Sequence, residues 1–324
     1  MRALILAGGK GTRLRPLTDL TPKPLVPFMG EPFAVGQLRR LAAAGVTDVT
    51  VLVGADAAPF APLIDAGKAI GLGVDVATED APLDTAGAAR RALSGQRGGP
   101  VLVCNGDVLT DLDYAAVVRA HREADAAVTL TLTRVADTSA FGVVVCDPGG
   151  RVRRFVEKPP PGTLPDDTVN AGTYVLAPGV FDAFAGDGPL SFEREVFPQL
   201  LAAGATVIGV TSDAHWADLG TPERYLAGHR AVLDGRCDWP VAADLETVEA
   251  TVRVSSGARV ADDAQLGPHV VVGDGAEVGS RAGLTDTVLH GRARVGAGAR
   301  LSGVIVGPDA TVADGADLAD TVVV

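Results

Sequence analysis

Hydrophobic and polar positions fall into short, punctuated blocks. Residues 3–8 (ALILAG) form an apolar run closed by glycine, the length of a buried strand and too short for a helix. Residues 33–44 place Val35, Leu38, Leu41 and Ala42 at helical spacing, with Gly45 where a helix C-cap belongs. Residues 48–53 (DVTVLV), 74–78 and 101–105 (VLVCN) read as the next three strands, with helical stretches near 58–66 and 85–93 between them. That alternation predicts a parallel α/β sheet covered on both faces. Ligands of such sheets sit beyond the carboxyl ends of the strands, which puts the turns at 8–13, 79–87 and 105–107 on one rim. From residue 127 the pattern turns strand-rich, at 127–133, 142–146, 152–156 and 173–176, and predicts a β subdomain that covers a substrate. A strand at 207–210 then leads into HWADLGTPERY, and 222–233 reads as a closing helix.

The last 80 or so residues have another rhythm. An aliphatic side chain recurs every six positions, at Val248, Val254, Val260, Leu266, Val272, Val278 and Leu284, and a period of 17 follows, starting at Leu284, Leu301 and Leu318. Short strands that turn at Gly or Asp and point one aliphatic residue inward each time build a parallel β-helix. A disordered Gly/Ala-rich tail is the competing reading, and seven hits in register argue against it. The pattern stops in mid-coil at Val324, so a partner chain or the first domain is expected to cover the last edge.

Composition narrows the chemistry. The 324 residues are 47% hydrophobic, enough for two domains, expected at 1–240 and 241–324. A net charge of -12 offers no basic face to nucleic acid or to an anionic membrane. Cys104, Cys146 and Cys237 are odd in number and contain no CxxC, which points to a reducing compartment, and no apolar run is long enough to span a bilayer. A cytoplasmic protein is expected.

Against that acidic background, residues 4–25 (LILAGGKGTRLRPLTDLTPKPL) concentrate positive charge beside glycine. Gly8, Gly9 and Gly11 let a phosphate approach main-chain N–H groups, and Arg13, Arg15 and Lys23 bring cations to the same place. By itself such a stretch is more often a strand followed by an ordinary tight turn. GGKGTR lacks both the GK[ST] ending of a P-loop and the third glycine of a dinucleotide fingerprint. The chain prefers arginine, yet three of its four lysines, Lys10, Lys23 and Lys158, lie in phosphate-type motifs, where a compact ammonium and a planar guanidinium are not interchangeable.

Six motifs in order, GGKGTRLRPLT, PKPLVP, NGD at 105–107, EKP at 157–159, NAGTYV at 170–175 and WADLGTPERY at 216–225, resemble the sugar-1-phosphate nucleotidyltransferases over the whole chain. Within that family the chain is most similar to the mannose-1-phosphate guanylyltransferase group. The resemblance implies a Rossmann-like, mostly parallel sheet of glycosyltransferase-A type followed by a short left-handed β-helix. It also implies a reaction in which a sugar-1-phosphate oxygen attacks the α-phosphorus of a nucleoside triphosphate, GTP favoured, with Mg²⁺ as cofactor, in a homo-oligomer (dimer or tetramer) that involves the β-helix.

Residue by residue, the resemblance implies that Arg13 and Lys23 are catalytic and that Leu6, Ala7, Gly8, Gly9, Gly11, Thr12, Arg13, Glu79, Thr85, Ala86, Gly87, Asn105 and Gly106 bind the nucleotide. Gly142, Glu157, Lys158, Asn170 and Gly172 would bind the sugar phosphate, and Asp107 and Asp218 the metal. Asp84 departs from the pattern, which usually has glycine there. The Thr-Ala-Gly turn that follows would offer backbone groups to a purine edge. Other readings stand beside these: Asp107 and Asp218 as helix caps, Lys158 as a solvated surface lysine, and other bases in place of guanine. A hexapeptide acyltransferase using His290, or a non-catalytic subunit, is the reading from another class.

Overall fold

A computed structural model describes residues 1–95, 98–160 and 167–324. The chain forms two compact units. One comprises Met1–Gly9, Leu38–Val108 and Leu112–Trp216, the other Lys10–Gln37, Leu109–Asp111 and Ala217–Val324.

The first unit is built on a nine-stranded sheet. Its central strand is Arg2–Leu6, flanked in parallel by Asp48–Val53 and Val101–Asn105, and Gly73–Thr78 pairs in parallel outside Asp48–Val53. Side chains alternate across the sheet, and both faces are covered. Leu4, Leu52 and Val103 pack with Ala86, Ala88 and Ala89 of the helix Asp84–Leu93, while Ala3, Ile5 and Val51, pointing the other way, are also buried. Leu6 stands opposite both Leu52 and Asn105, so the turns after these strands share one rim, as expected.

The strand-rich segment does not fold as a separate β subdomain. Thr168–Leu176 pairs antiparallel with Val101–Asn105 and continues the same sheet, which then carries Val128–Arg134, Gly142–Cys146, Val152–Glu157 and Val207–Thr211. The physical reason is the open edge: Val101–Asn105, buried and with one side unpaired, needs partners for its backbone groups. Within this unit, two described helical segments add to those expected. Tyr114–Glu123 is capped by the Asp113 side chain and buries Tyr114, Val117, Val118 and His121 at helical spacing. Phe192–Val196 winds as a π-helical turn and runs on into Phe197–Ala202, whose Pro198 hides it in the sequence.

In the second unit, residues 252–323 wind as a parallel β-helix with three sheet faces. Val260 stands opposite Val278 and Leu266 opposite Leu284, a rise of 18 residues, after which Leu284, Leu301 and Leu318 stack at 17. Corner residues explain the Gly/Asp-rich composition. Gly275, Arg292 and Asp309, then Arg281, Gly298 and Gly315, then His269, Asp286, Gly303 and Asp320 all have positive φ, one residue per corner in the coils from residue 269 on. Val272, Val278 and Leu284 are buried, and Val254, Val260 and Leu266 pack partly buried against the same core. Val248 departs from the expectation. It is 60% exposed because its strand, Leu245–Glu249, pairs antiparallel with Val252–Ser255 and bulges at that residue.

One face of the coil is apolar on its outside as well. Val271, Val288 and Ile305 point away from the coil core and pack with Leu14, Leu17, Val26, Phe28, Met29 and Phe33 of the opening stretch and with Leu219 and Tyr225. This core holds two neutral histidines. His229 is lowered to about 3 by burial, partly offset by its hydrogen bond to the Tyr225 carbonyl, and His290 is lowered to about 4 by burial. Both folded-state values lie below the unfolded value of about 6.5. Above pH 6.5 neither state is protonated and the pair has no effect. As pH falls through 6.5 only the unfolded chain takes up protons, at a cost of about 1.4 kcal/mol per pH unit for each ring. Between pH 7 and pH 5 the pair therefore lowers stability by roughly 3–4 kcal/mol. Urea unfolding of His290→Gln should show a pH 7-to-5 loss smaller by about half of that amount, and an identical loss in variant and wild type would refute the assignment.

Candidate active site

The basic stretch lies in the second unit. Gly11 has φ +61, and a Cβ there would come within 3.0 Å of the Thr18 methyl and 3.1 Å of the Lys23 Cβ, so a side chain would be strained and would crowd both. The Thr18 hydroxyl donates to its carbonyl at 2.8 Å. Thr12–Leu14 then forms a 3-10 turn that leaves Arg13 exposed, and Lys23–Leu25 forms a second one. Asp218, at the end of the strand Trp216–Asp218, collects three cations: Arg224 donates to Oδ2 at 2.9 Å, Arg13 to Oδ2 at 3.3 Å, and Lys23 Nζ lies 3.5 Å from Oδ1. The cluster carries two net positive charges, which suits a polyanion.

The Asp218 Oδ1 atom is buried and accepts no hydrogen bond, since 3.5 Å is too long for one to a lysine. A hard cation satisfies such an oxygen. Among the described residues no group of three or more His, Cys, Asp or Glu could hold a metal by itself, and Mg²⁺ typically takes one or two carboxylates and completes its shell with water and phosphate oxygens. Asp218 fits that chemistry. It is not the cap of the helix Pro222–Leu233, because Thr221 accepts the Arg224 N–H in that role. Nor does Asp107 cap a helix, since Asp113 caps the one that follows it.

In the first unit the rim holds Gly8, Glu79, Asn105 and Gly106. Leu6 and Ala7 spend main-chain groups on the sheet: the Leu6 carbonyl accepts from Gly106 at 2.9 Å, and the Ala7 N–H donates to Leu52 at 2.7 Å. A Cβ on Gly106 would sit 2.8 Å from that carbonyl, so this glycine serves close strand packing. At Gly9 a Cβ would meet no described atom within 4 Å, so packing does not demand glycine there. Glu79 Oε2 accepts the Leu83 N–H at 2.8 Å and closes its loop.

The five sugar-phosphate candidates are brought together. Gly142 faces Glu157, whose Oε2 would be 2.9 Å from a Cβ there. Lys158 follows at positive φ with Nζ 3.6 Å from Glu157. Gly172, φ +72, donates its N–H to Asn170 and abuts the Asn105 amide. Asn170 donates to the Tyr174 hydroxyl at 2.7 Å, where the strand shifts register.

Glu193, absent from the sequence-derived candidates, joins this set to Thr85. Its carboxylate accepts from Thr85 at 3.0 Å, Ser191 at 2.9 Å and Tyr174 at 3.2 Å. Glu157 is raised above the ordinary carboxylate range by burial first and by the Glu193 charge second, against the pull of Lys158 and Arg194. Arg224 and Glu193 both lie within motifs of ordinary composition, and only their partners give them away.

The Thr-Ala-Gly turn does not offer its N–H groups to a base. Ala86 and Gly87 both donate to the Leu190 carbonyl at 2.9 Å, and a Cβ on Gly87 would press on Gly188 and Leu190. The departure at Asp84 has a local cause: its φ is +60, a left-handed position suited to glycine that aspartate tolerates, and its carboxylate pairs with Arg194 and accepts from Thr85 N–H. His290 is buried against Tyr225, which removes it from acyl-transfer chemistry. The first unit also holds a cavity of about 690 Å³, lined by Met1, Arg2, Asp48, Arg122 and Asp182 among others, at the amino end of the central strands and away from these residues.

Residues 2–235 match the family model described as nucleotidyl transferase. The chain is 40% identical over 297 residues to a mannose-1-phosphate guanylyltransferase of Mycobacterium tuberculosis, covering 91% of this chain and 81% of that one. It is 35% identical over 319 residues to a probable mannose-1-phosphate guanylyltransferase 1 of Oryza sativa subsp. japonica, covering 96% and 87%. Among solved structures, HddC from Yersinia pseudotuberculosis superposes with a TM-score of 0.60 at 28% identity, covering 70% of this chain and 97% of that one, and a complex of it with GMP-PN matches equally.

Replacing Glu193 with glutamine removes the second cause of the Glu157 shift and leaves burial in place. The Glu157 carboxyl should then titrate at lower pH than in the wild type, by carboxyl ¹³C NMR. An unmoved titration would show that the two carboxylates do not sense each other.

Proposed function

The chain belongs to the nucleotidyl transferase family, and on that premise we propose that it transfers the guanylyl group of GTP to mannose 1-phosphate, releasing pyrophosphate and GDP-mannose. The observation that carries the reading is the cluster of Arg13, Lys23 and Arg224 on the single carboxylate of Asp218, a cationic site at the end of a glycine-bearing turn. The names of the relatives support guanine and mannose.

In the proposed step a phosphate oxygen of mannose 1-phosphate forms a bond to the α-phosphorus of GTP. The bond from that phosphorus to the α,β-bridging oxygen breaks, and its electron pair leaves with pyrophosphate. The attacking monoester is largely a dianion at pH 7, because its second pKa is about 6, so no protein base is needed. What remains is to align two polyanions and neutralise them. The backbone of residues 8–12 and Arg13 hold the triphosphate, and Lys23 meets the charge that develops at the α-phosphate. Lys158 receives the incoming phosphate, and Gly142, Glu157, Asn170 and Gly172 bind sugar hydroxyls. Asp107 and Asp218 would hold Mg²⁺, which would supply further neutralisation of the phosphates.

We propose that residues 1–240 carry this chemistry and that the second domain, 241–324, which contains the β-helix, also mediates a dimer or tetramer. The three cysteines form no disulfide, which suits the reducing cytoplasm, and among the described residues no helix is long and apolar enough to cross a membrane.

A panel crossing five nucleoside triphosphates with hexose 1-phosphates, each near 1 mM, should give the fastest Mg²⁺-dependent pyrophosphate release with GTP and mannose 1-phosphate. Absence of turnover with every pair would sink the enzyme reading. Lys23→Ala should lower kcat by about 10² to 10³, and an unchanged kcat would reject its role at the α-phosphate.

A further inference from the structure

We propose that His290, on the β-helix, is a positioning residue for Lys23, acting through the Tyr225 hydroxyl and the Pro27 carbonyl. The proposal rests on Lys23 being the α-phosphate cation, and it adds the coil to the machinery that presents it.

The hydrogen bonds leave one arrangement of protons. The Tyr225 hydroxyl has a single hydrogen and donates it to the Pro27 carbonyl, so at its contact with His290 Nε2, 2.9 Å away, it must accept. His290 is thereby held as the neutral tautomer with hydrogen on Nε2. Its Nδ1 is buried with no partner. A ring kept only to fill space would be better as an apolar side chain, which would leave no nitrogen unsatisfied. The Nε2 donor is what the imidazole contributes.

A second histidine anchors the same loop two residues on. His229 Nδ1 meets the Tyr225 carbonyl at 3.1 Å, and Nε2 accepts the Met29 N–H at 3.4 Å. The backbone at 27 and 29 is therefore fixed by side chains of one helix, Pro222–Leu233, and that helix is fixed at Tyr225 by the coil. Lys23 sits one short turn upstream: Val26 N–H donates to the Lys23 carbonyl at 3.2 Å, directly before Pro27. Its ammonium reaches Asp218, which lies four residues before that same helix. Lys23 and its counter-ion thus both lie next to one helix, which His290 holds at the Tyr225 hydroxyl.

The chain has only four lysines, so selective ¹³Cε-lysine labelling gives four signals, assignable by Lys→Arg variants. His290→Phe keeps a ring and loses the donor, Tyr225→Phe removes the bridging hydroxyl, and His290→Gln keeps an amide N–H at the Nε2 position. In His290→Phe and Tyr225→Phe the Lys23 signal should shift or broaden while those of Lys10, Lys68 and Lys158 stay. With GTP and mannose 1-phosphate, kcat should fall about tenfold and KM change by no more than about twofold. His290→Gln should restore both signal and kcat to within about twofold of wild type. If His290→Phe does not fold, Tyr225→Phe decides. A Lys23 signal unmoved by loss of the donor or of the hydroxyl, or a glutamine variant as impaired as phenylalanine, overturns the proposal. Wild-type enzyme inactive on every substrate pair would instead refute the proposed reaction, and the lysine spectra would still decide the positioning.

Discussion

Three cations share the space around Asp218, and that one carboxylate is what lets them do so. Like charges at such range repel, and each would otherwise turn outward to water. With Asp218 between them, Lys23 is held largely buried while Arg13 stays exposed and able to follow a ligand. Much of the second unit can be read as support for this arrangement. The apolar outer face of the coil presses on Leu14, Leu17 and Val26, on either side of the basic residues, and the helix that starts after Asp218 buries Tyr225 and His229 in the same core.

The first unit solves a different problem, the presentation of hydroxyl- and phosphate-binding groups at the end of a sheet. Glycines bear most of the geometric load. Gly142 makes room for Phe155 and Glu157, and Gly172 for Asn105. Glu193 gathers the hydroxyls of Thr85, Ser191 and Tyr174 into one network, so a single carboxylate links Thr85 to Asn170 by way of Tyr174. Neither Glu193 nor Arg224 stands out in the sequence. A Glu in SFEREV and an Arg in TPERY look like solvated charges; the first finds Thr85 far along the chain, and the second folds back onto Asp218 six residues before it.

Local patterns were legible because their causes are local. The strands 48–53, 101–105 and 142–146 and the helix 222–233 fall where hydrophobic spacing and caps put them. The 17-residue period of the coil was visible because each turn stacks on the next, so the same contacts recur at a fixed interval. Val248 had the right spacing and the wrong surroundings: an antiparallel bulge, which no periodicity reveals, turns it to solvent.

By itself, then, the sequence determined which residue types could meet phosphate: glycines at 8, 9 and 11, cations at 13, 23 and 158, and carboxylates at 107 and 218. Tertiary structure decided which of them act together, because side-chain partners are chosen by spatial neighbourhood. It assigned the Ala86 and Gly87 N–H groups to Leu190, gave Asp218 a third cation, and set a coil histidine behind the Lys23 loop. The first and last of these join distant parts of the chain, and the second spans the turn that opens a helix; each is made when burial forces a polar group to find a partner.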